Sequence, residues 1–145
     1  MIVIGLGNEF RRDDAVGLIA ARRLRENGFA AEEFEGDVAS LIDRWKGADG
    51  LILMDAVRSG AIPGTLHRLD VSASPLPREL FRSSTHALGL AEAIELSRTL
   101  GTLPARVFVF GVEARDFTAG VGLSPEVEGV LPVLVEEVVS CMKHH

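Results

Sequence analysis

Apolar residues in this chain come either in short continuous runs or in stripes at helical spacing, and the two kinds alternate. Met1 to Leu6 is an aliphatic run broken by glycine, the pattern of a strand covered on both faces. Behind it Val16, Ile19, Ala20 and Leu24 recur at helical spacing, with Asp13 as the expected N-cap and Asp14 in the first turn. Phe29 to Phe34 predicts a second strand, and 38–45 a second helix with Asp37 as its cap. Gly50 to Met54 predicts a third strand with Asp55 at its carboxyl end; Ile62-Pro63-Gly64 then breaks the chain before a strand over 65–69. A helix is expected over 87–100, capped by Thr85 with His86 in its first turn, followed by an apolar strand over 105–111. Ser124-Pro125 opens a last helix in the favoured order, cap then proline, and Pro132 is expected to kink or split it. Alternating strands and helices predict an α/β fold: one domain over 1–145, a three-layer α/β/α sandwich around a mostly parallel sheet of about five strands.

Composition narrows the function classes. At 145 residues the chain suits one core. A net charge of −6 with scattered Lys and Arg argues against a nucleic-acid surface, and Arg22, Arg23 and Arg25 read as a solvated helix face. No apolar run approaches the ~18 residues of a membrane span and no signal-peptide pattern opens the chain, so the expected location is the cytoplasm and the expected state a monomer or weak oligomer. Cys141 is the only cysteine, which removes an intrachain disulfide and cysteine-based zinc from consideration; on an apolar helix face it reads as structural. The terminal His144 and His145 are set aside from site reasoning.

Candidate chemistry gathers at one end of the predicted sheet. Ligands of open α/β sheets bind in the crevice beyond the carboxyl ends of the strands, where Asp14, Asp55 and His86 are all expected to fall. Each has a plain reading by itself: Asp13 and Asp14 suit the helix dipole at about 0.3–1 kcal/mol each, Asp55 suits a turn, and a lone histidine is commonly a packed residue. Their convergence is the signal. A positive helix end disfavours imidazolium and leaves His86 a lone pair for a metal, so two carboxylates and one imidazole make an O,O,N set suited to nickel, zinc or another divalent ion. Gly5 and Gly7 also suggest a dinucleotide fingerprint, but its third glycine falls at Phe10, which excludes the close helix packing that glycine permits. Neither a Gly-x-Ser-x-Gly elbow nor a Cys-His-Asp set competes. His67 has no acidic neighbour in the pattern and reads as a packed or surface residue, while Glu113 and Asp116 read as loop acids after a strand.

Four stretches in order, GLGNEFRRDDAVG, MDAVRSGAIPGT, STHALGLAEAIEL and GLSPEVEGVLP, resemble the hydrogenase maturation proteases, the endopeptidases that trim the C-terminus of nickel-iron hydrogenase large subunits. The resemblance runs nearly end to end. It implies that Asp14, Asp55 and His86 recognise nickel, which arrives with the substrate, a nickel-iron hydrogenase large-subunit precursor. Asp13 or Asp14 would be candidates for the general base, and Asn8 and Asp37 for contacts with the substrate. One departure stands out: the family commonly carries an Asp-Gly-Gly-Thr type loop after strand 2, where this chain has Glu33-Phe34-Glu35-Gly36-Asp37. Two other readings use the same residues: a nickel-site docking chaperone without hydrolysis, and a small-molecule module binding phosphate at the Gly5 to Asn8 turn.

Overall fold

The computed structural model describes residues 1–77 and 89–145. Strand β1 (Ile2–Leu6) leads through a 3-10 turn (Arg12–Ala15) into helix α1 (Val16–Glu26), then strand β2 (Glu32–Phe34) and helix α2 (Val38–Trp45). Strands β3 (Gly50–Val57) and β4 (Leu66–Asp70), helix α3 (Leu90–Leu100), strand β5 (Arg106–Glu113) and helix α4 (Pro125–His144) follow. The sheet order is β2-β1-β3-β5-β4; the first four strands are parallel, and β4 runs antiparallel to β5.

β3 lies near the middle of this sheet, and every one of its residues is buried. Its Ile52, Met54 and Ala56 join Phe110 and Val112 of β5 against α1 and α4, which supply Val16, Leu24, Leu131 and Val138. Leu51, Leu53 and Val57 lie on the other face with Val107 and Val109, under Leu41 and Trp45 of α2 and Leu90 and Ile94 of α3. The alternation on β3 and β5 explains why those segments read as unbroken apolar runs: a parallel strand between two helical layers has no wet face. Trp45 is fully buried, and its Nε1 donates to Ser97 Oγ at 2.9 Å, so the indole polar atom keeps a partner.

Helix α1 sits unusually close to the sheet. A Cβ on Gly5 would lie 2.0 Å from the Gly17 carbonyl oxygen, and one on Gly17 would lie 2.4 Å from the carbonyl oxygens of both Leu6 and Met54. The two glycines therefore let the start of α1 rest on the backbone where β1 and β3 end.

Several boundaries differ from the sequence expectation. β2 begins at Glu32, because the Phe29 amide still bonds to Leu24 O at 2.9 Å and prolongs the end of α1. β3 continues to Val57, which places Asp55 inside the strand instead of after it, and β5 continues to Glu113. Helix α3 begins at Leu90 with Gly89 in the cap position, while the expected cap Thr85 and first-turn His86 lie outside the described residues. Helix α4 is not split at Pro132: its buried stripe of Val127, Leu131, Leu134, Val138 and Cys141 runs past the proline, which is exposed, so the Glu128 carbonyl that loses its donor can be hydrated. Cys141 is buried as expected, and burial pushes its thiol up. Arg22 and Arg25 are not merely solvated; both pair with Glu33 and tie β2 to α1. No helix among the described residues is long and apolar enough to cross a membrane.

Candidate active site

The strand order creates one place where the chain turns in opposite directions. From β1 it proceeds to β2 on one side; from β3 it proceeds to β4 and β5 on the other. The crevice at such a switch point, beyond the carboxyl ends of β1 and β3, is where open α/β sheets bind ligands. Asp14 lies in the 3-10 turn just before α1 and is fully buried; Asp55, 1% exposed, follows Met54, whose carbonyl oxygen abuts Gly17. The glycine contacts thus bring both acids to one corner.

Asp55 keeps its Oδ1 within the strand, where it accepts from the Ala56 amide at 2.8 Å. Its side chain lines a small cavity on the α2 and α3 face, together with Leu6, Phe34, Glu35, Asp37 and Leu90. Asp37 is the N-cap of α2, as its position predicts: Oδ1 accepts from the Ser40 amide at 2.8 Å and Oδ2 from the Ser40 hydroxyl at 3.2 Å, which hold its carboxyl below the ordinary value. The same residue therefore caps a helix and borders the cavity that Asp55 enters. Asn8 shapes the turn ahead of Asp14: its Oδ1 accepts from the Phe10 amide at 2.9 Å, and its own amide donates to Asp14 O at 3.3 Å.

Asp13 has a different task from the cap suggested by its position. Its carboxylate, buried to 0% exposure, accepts from the amides of Arg115, Asp116 and Ser124 at 2.9, 3.0 and 2.7 Å and from the Ser124 hydroxyl at 2.8 Å. The 3-10 turn and α1 have no side-chain cap at all. Ser124 does occupy the cap position of α4, but gives its hydroxyl to Asp13. Asp13 is a clamp between the β1–α1 turn and the β5–α4 loop, with its acceptor capacity committed to fixed donors.

The third predicted ligand, His86, lies outside the described residues. Among the described residues no group of three or more His, Cys, Asp or Glu side chains is placed to hold a metal.

One buried acid has a larger role than the sequence suggested. Glu113, 1% exposed, accepts from the Ser59 hydroxyl at 2.6 Å and the Ser59 amide at 2.8 Å, and its Oε1 lies 3.1 Å from His67 Nε2. Burial pushes this carboxyl up, but the bonds from Ser59 and His67 outweigh it and hold the group below its ordinary value. His67 therefore does have an acidic neighbour, contributed by the adjacent antiparallel strand. That contact needs the strand order, which no local pattern carries; the available signal was that Glu113 continues the period-two row Val107, Val109, Gly111 of β5.

Comparison with known proteins identifies this architecture. A family model described as hydrogenase maturation protease matches residues 36–141. The chain belongs to that family. The matched span holds Asp37, Asp55 and Glu113 but begins after Asp14. Among relatives, the hydrogenase 2 maturation protease of Escherichia coli K12 is 28% identical, over 99% of this chain and 90% of that protein. The hydrogenase expression/formation protein HupD of Thiocapsa roseopersicina is 29% identical over 92% of this chain, which spans 64% of that longer relative. Among solved structures, the E. coli hydrogenase maturating endopeptidase HybD superposes with a TM-score of 0.80 at 27% identity, covering 99% of this chain and 91% of that one. The [NiFe] hydrogenase maturation protease HybD of Thermococcus kodakarensis does so with a TM-score of 0.73 at 26% identity, covering 97% of both chains. The maturation proteases thus share the single-domain α/β fold and five-stranded, mostly parallel sheet described above.

Proposed function

We propose that this protein is a cytoplasmic endopeptidase that removes the C-terminal extension of a nickel-loaded nickel-iron hydrogenase large-subunit precursor, and that Asp14, Asp55 and His86 read the nickel. The observation that carries this reading is the pair of buried carboxylates at the switch point of a maturation-protease fold. Two aspartates supply oxygen donors suited to a divalent ion, and the imidazole of His86 completes a set that leaves coordination positions for the substrate. Nickel, arriving as part of the substrate, would orient the scissile peptide and polarise its carbonyl, where negative charge develops as water attacks. The chain's own contribution is to fix the acids. Gly5 and Gly17 set the height of the β1–α1 turn, and Asp13 locks that turn to the β5–α4 loop, which makes Asp13 a positioning residue and leaves Asp14 as the acid considered for the base.

The phosphate-binding alternative meets a specific obstacle. A phosphate cradle needs backbone amides turned toward the ligand. Here the amides of Asn8, Phe10, Arg11, Arg12, Asp13 and Asp14 all donate to acceptors within the protein. The docking-chaperone alternative uses the same donor set, and the deciding experiment is incubation with nickel-loaded and nickel-free precursor, read by intact mass. Truncation of the loaded precursor alone supports the peptidase; stable binding without truncation supports the chaperone.

A further inference from the structure

Glu113, a buried acid that the proposed cleavage does not use, holds an imidazole at the same end of the sheet. Strand β4 runs antiparallel to β5, so it begins where β5 ends, and its His67 is the register partner of Gly111. Gly111 is in turn the partner of Asp55 on β3. Asp55 continues the row Leu51, Leu53 on the α2 and α3 face, and Leu69, two residues after His67, packs on that same face. Asp55 and His67 therefore face the same layer, and the glycine between them adds no side chain. Their backbones are two strand spacings apart, roughly 10 Å, a gap that leaves both side chains within reach of one peptide bond.

The imidazole is fixed in orientation. Its Nε2 lies 3.1 Å from Glu113 Oε1, and the carboxylate cannot swing away, because the Ser59 amide and hydroxyl bond to it at 2.8 and 2.6 Å. Glu113 is ionised at neutral pH and can only accept, so Nε2 carries the proton of the neutral ring and Nδ1 the lone pair. Nδ1 has no hydrogen-bond partner among the described residues, and the side chain is 20% exposed, against 2% for Glu113. A buried carboxylate that sets the tautomer and direction of a more accessible imidazole is the pairing that general bases use. Ser59 is no nucleophile of that pairing, since its hydroxyl gives its proton to Glu113 and not to the ring.

We propose that His67 is the proton-transfer residue of the cleavage and Glu113 its positioning residue. This rests on the peptidase reading above. Nδ1 takes a proton from water as the water oxygen bonds to the scissile carbonyl carbon. The carbon–nitrogen bond then breaks, and Nδ1 returns that proton to the departing amine, so the ring ends as it began. Chemistry favours this ring over Asp14. In the peptidase reading Asp14 and Asp55 give oxygen lone pairs to the cation, and a nearby positive charge makes a carboxylate a weaker base. Imidazole exchanges protons near neutral pH, and the imidazolium formed midway lies against an ionised carboxylate.

The test follows single-turnover truncation of the nickel-loaded large-subunit precursor from the same genome by intact mass. Kd comes from the concentration dependence of the rate, and melting curves verify folding, for the wild type, His67→Gln, His67→Ala and Glu113→Gln. Glutamine keeps an N–H for Glu113 but lacks a basic nitrogen, so it separates holding the acid from moving the proton. His67→Gln is expected to fold, to keep Kd within about twofold, and to cut about 100-fold more slowly or worse. Glu113→Gln is expected to slow cutting about tenfold or more with Kd likewise unchanged. Added imidazole should speed His67→Ala about tenfold and leave the wild type unchanged. Cutting by His67→Gln within about threefold of the wild type overturns the assignment. A His67→Ala rate that imidazole does not raise, or a loss in His67→Gln matched by an equal rise in Kd, overturns it too. A wild type that binds the loaded precursor without cutting it refutes the peptidase reading itself. Full cutting by the wild type and His67→Gln alike leaves that reading standing and removes only the role of His67.

Discussion

The two ends of the sheet treat charge in opposite ways. At the start of the strands Asp49 is 81% exposed, and it meets the Met1 ammonium at 3.8 Å and Arg106 at 3.9 Å in water. Such exposed pairs contribute about 0–1 kcal/mol. At the carboxyl end lie Asp13, Asp14, Asp55 and Glu113, the buried acids of the described residues. Burying a carboxylate costs several kcal/mol unless fixed donors replace water. Two of the four are returned to structure: Asp13 receives four hydrogen bonds and joins two loops, and Glu113 holds Ser59 and His67. The other two, Asp14 and Asp55, stand at the switch point, where we propose that the substrate's metal is read. Adjacent acids of the same type can therefore do unrelated work, and burial by itself does not say which.

Substitutions can break this comparison at each level. The largest effect is expected from Asp13→Ala, which leaves the amides of Arg115, Asp116 and Ser124 without their acceptor; urea unfolding is predicted to show a loss of about 3–5 kcal/mol. Next comes Glu113→Gln, with a loss of about 1–2 kcal/mol near pH 7. Because the folded-state carboxyl lies below its unfolded value of 4.5, the wild-type advantage is fully present above that pH and disappears as pH falls through the depressed folded value. Unfolding curves of the pair should therefore converge in acid; a constant gap would mean that the Glu113 charge is not what holds Ser59 and His67. Asp49→Asn, at the opposite end, should change stability by less than about 0.5 kcal/mol, and a larger loss would erase the contrast between the ends.

What could be read from the sequence follows from how local each feature is. Helix α2 and its Asp37 cap, the Ser124-Pro125 start of α4 and the burial of Cys141 depend on neighbours within a few turns, and all have the expected place. The strand content and the layer arrangement followed from unbroken apolar runs. Asp13 was misread because its donors lie more than 100 residues away in the β5–α4 loop. The His67–Glu113 contact required knowing that β4 returns antiparallel beside β5. The continuity of α4 through Pro132 was hidden for another reason: the local rule counts the lost hydrogen bond, about 3 kcal/mol, but not the five buried side chains that hold both halves to the sheet. Of the site, Asp14 and Asp55 were legible as acids near strand ends, whereas the glycine contacts that set them together appear only in three dimensions.

The most direct measurement compares Asp14→Asn with Asp13→Asn, following precursor truncation by intact mass and melting temperature for each. Asp14→Asn is predicted to melt within a few degrees of the wild type and to leave the nickel-loaded precursor uncut, while Asp13→Asn is predicted to melt markedly lower. Full cleavage of the loaded precursor by a well-folded Asp14→Asn variant would contradict the assignment of nickel recognition to the buried acids of the switch point.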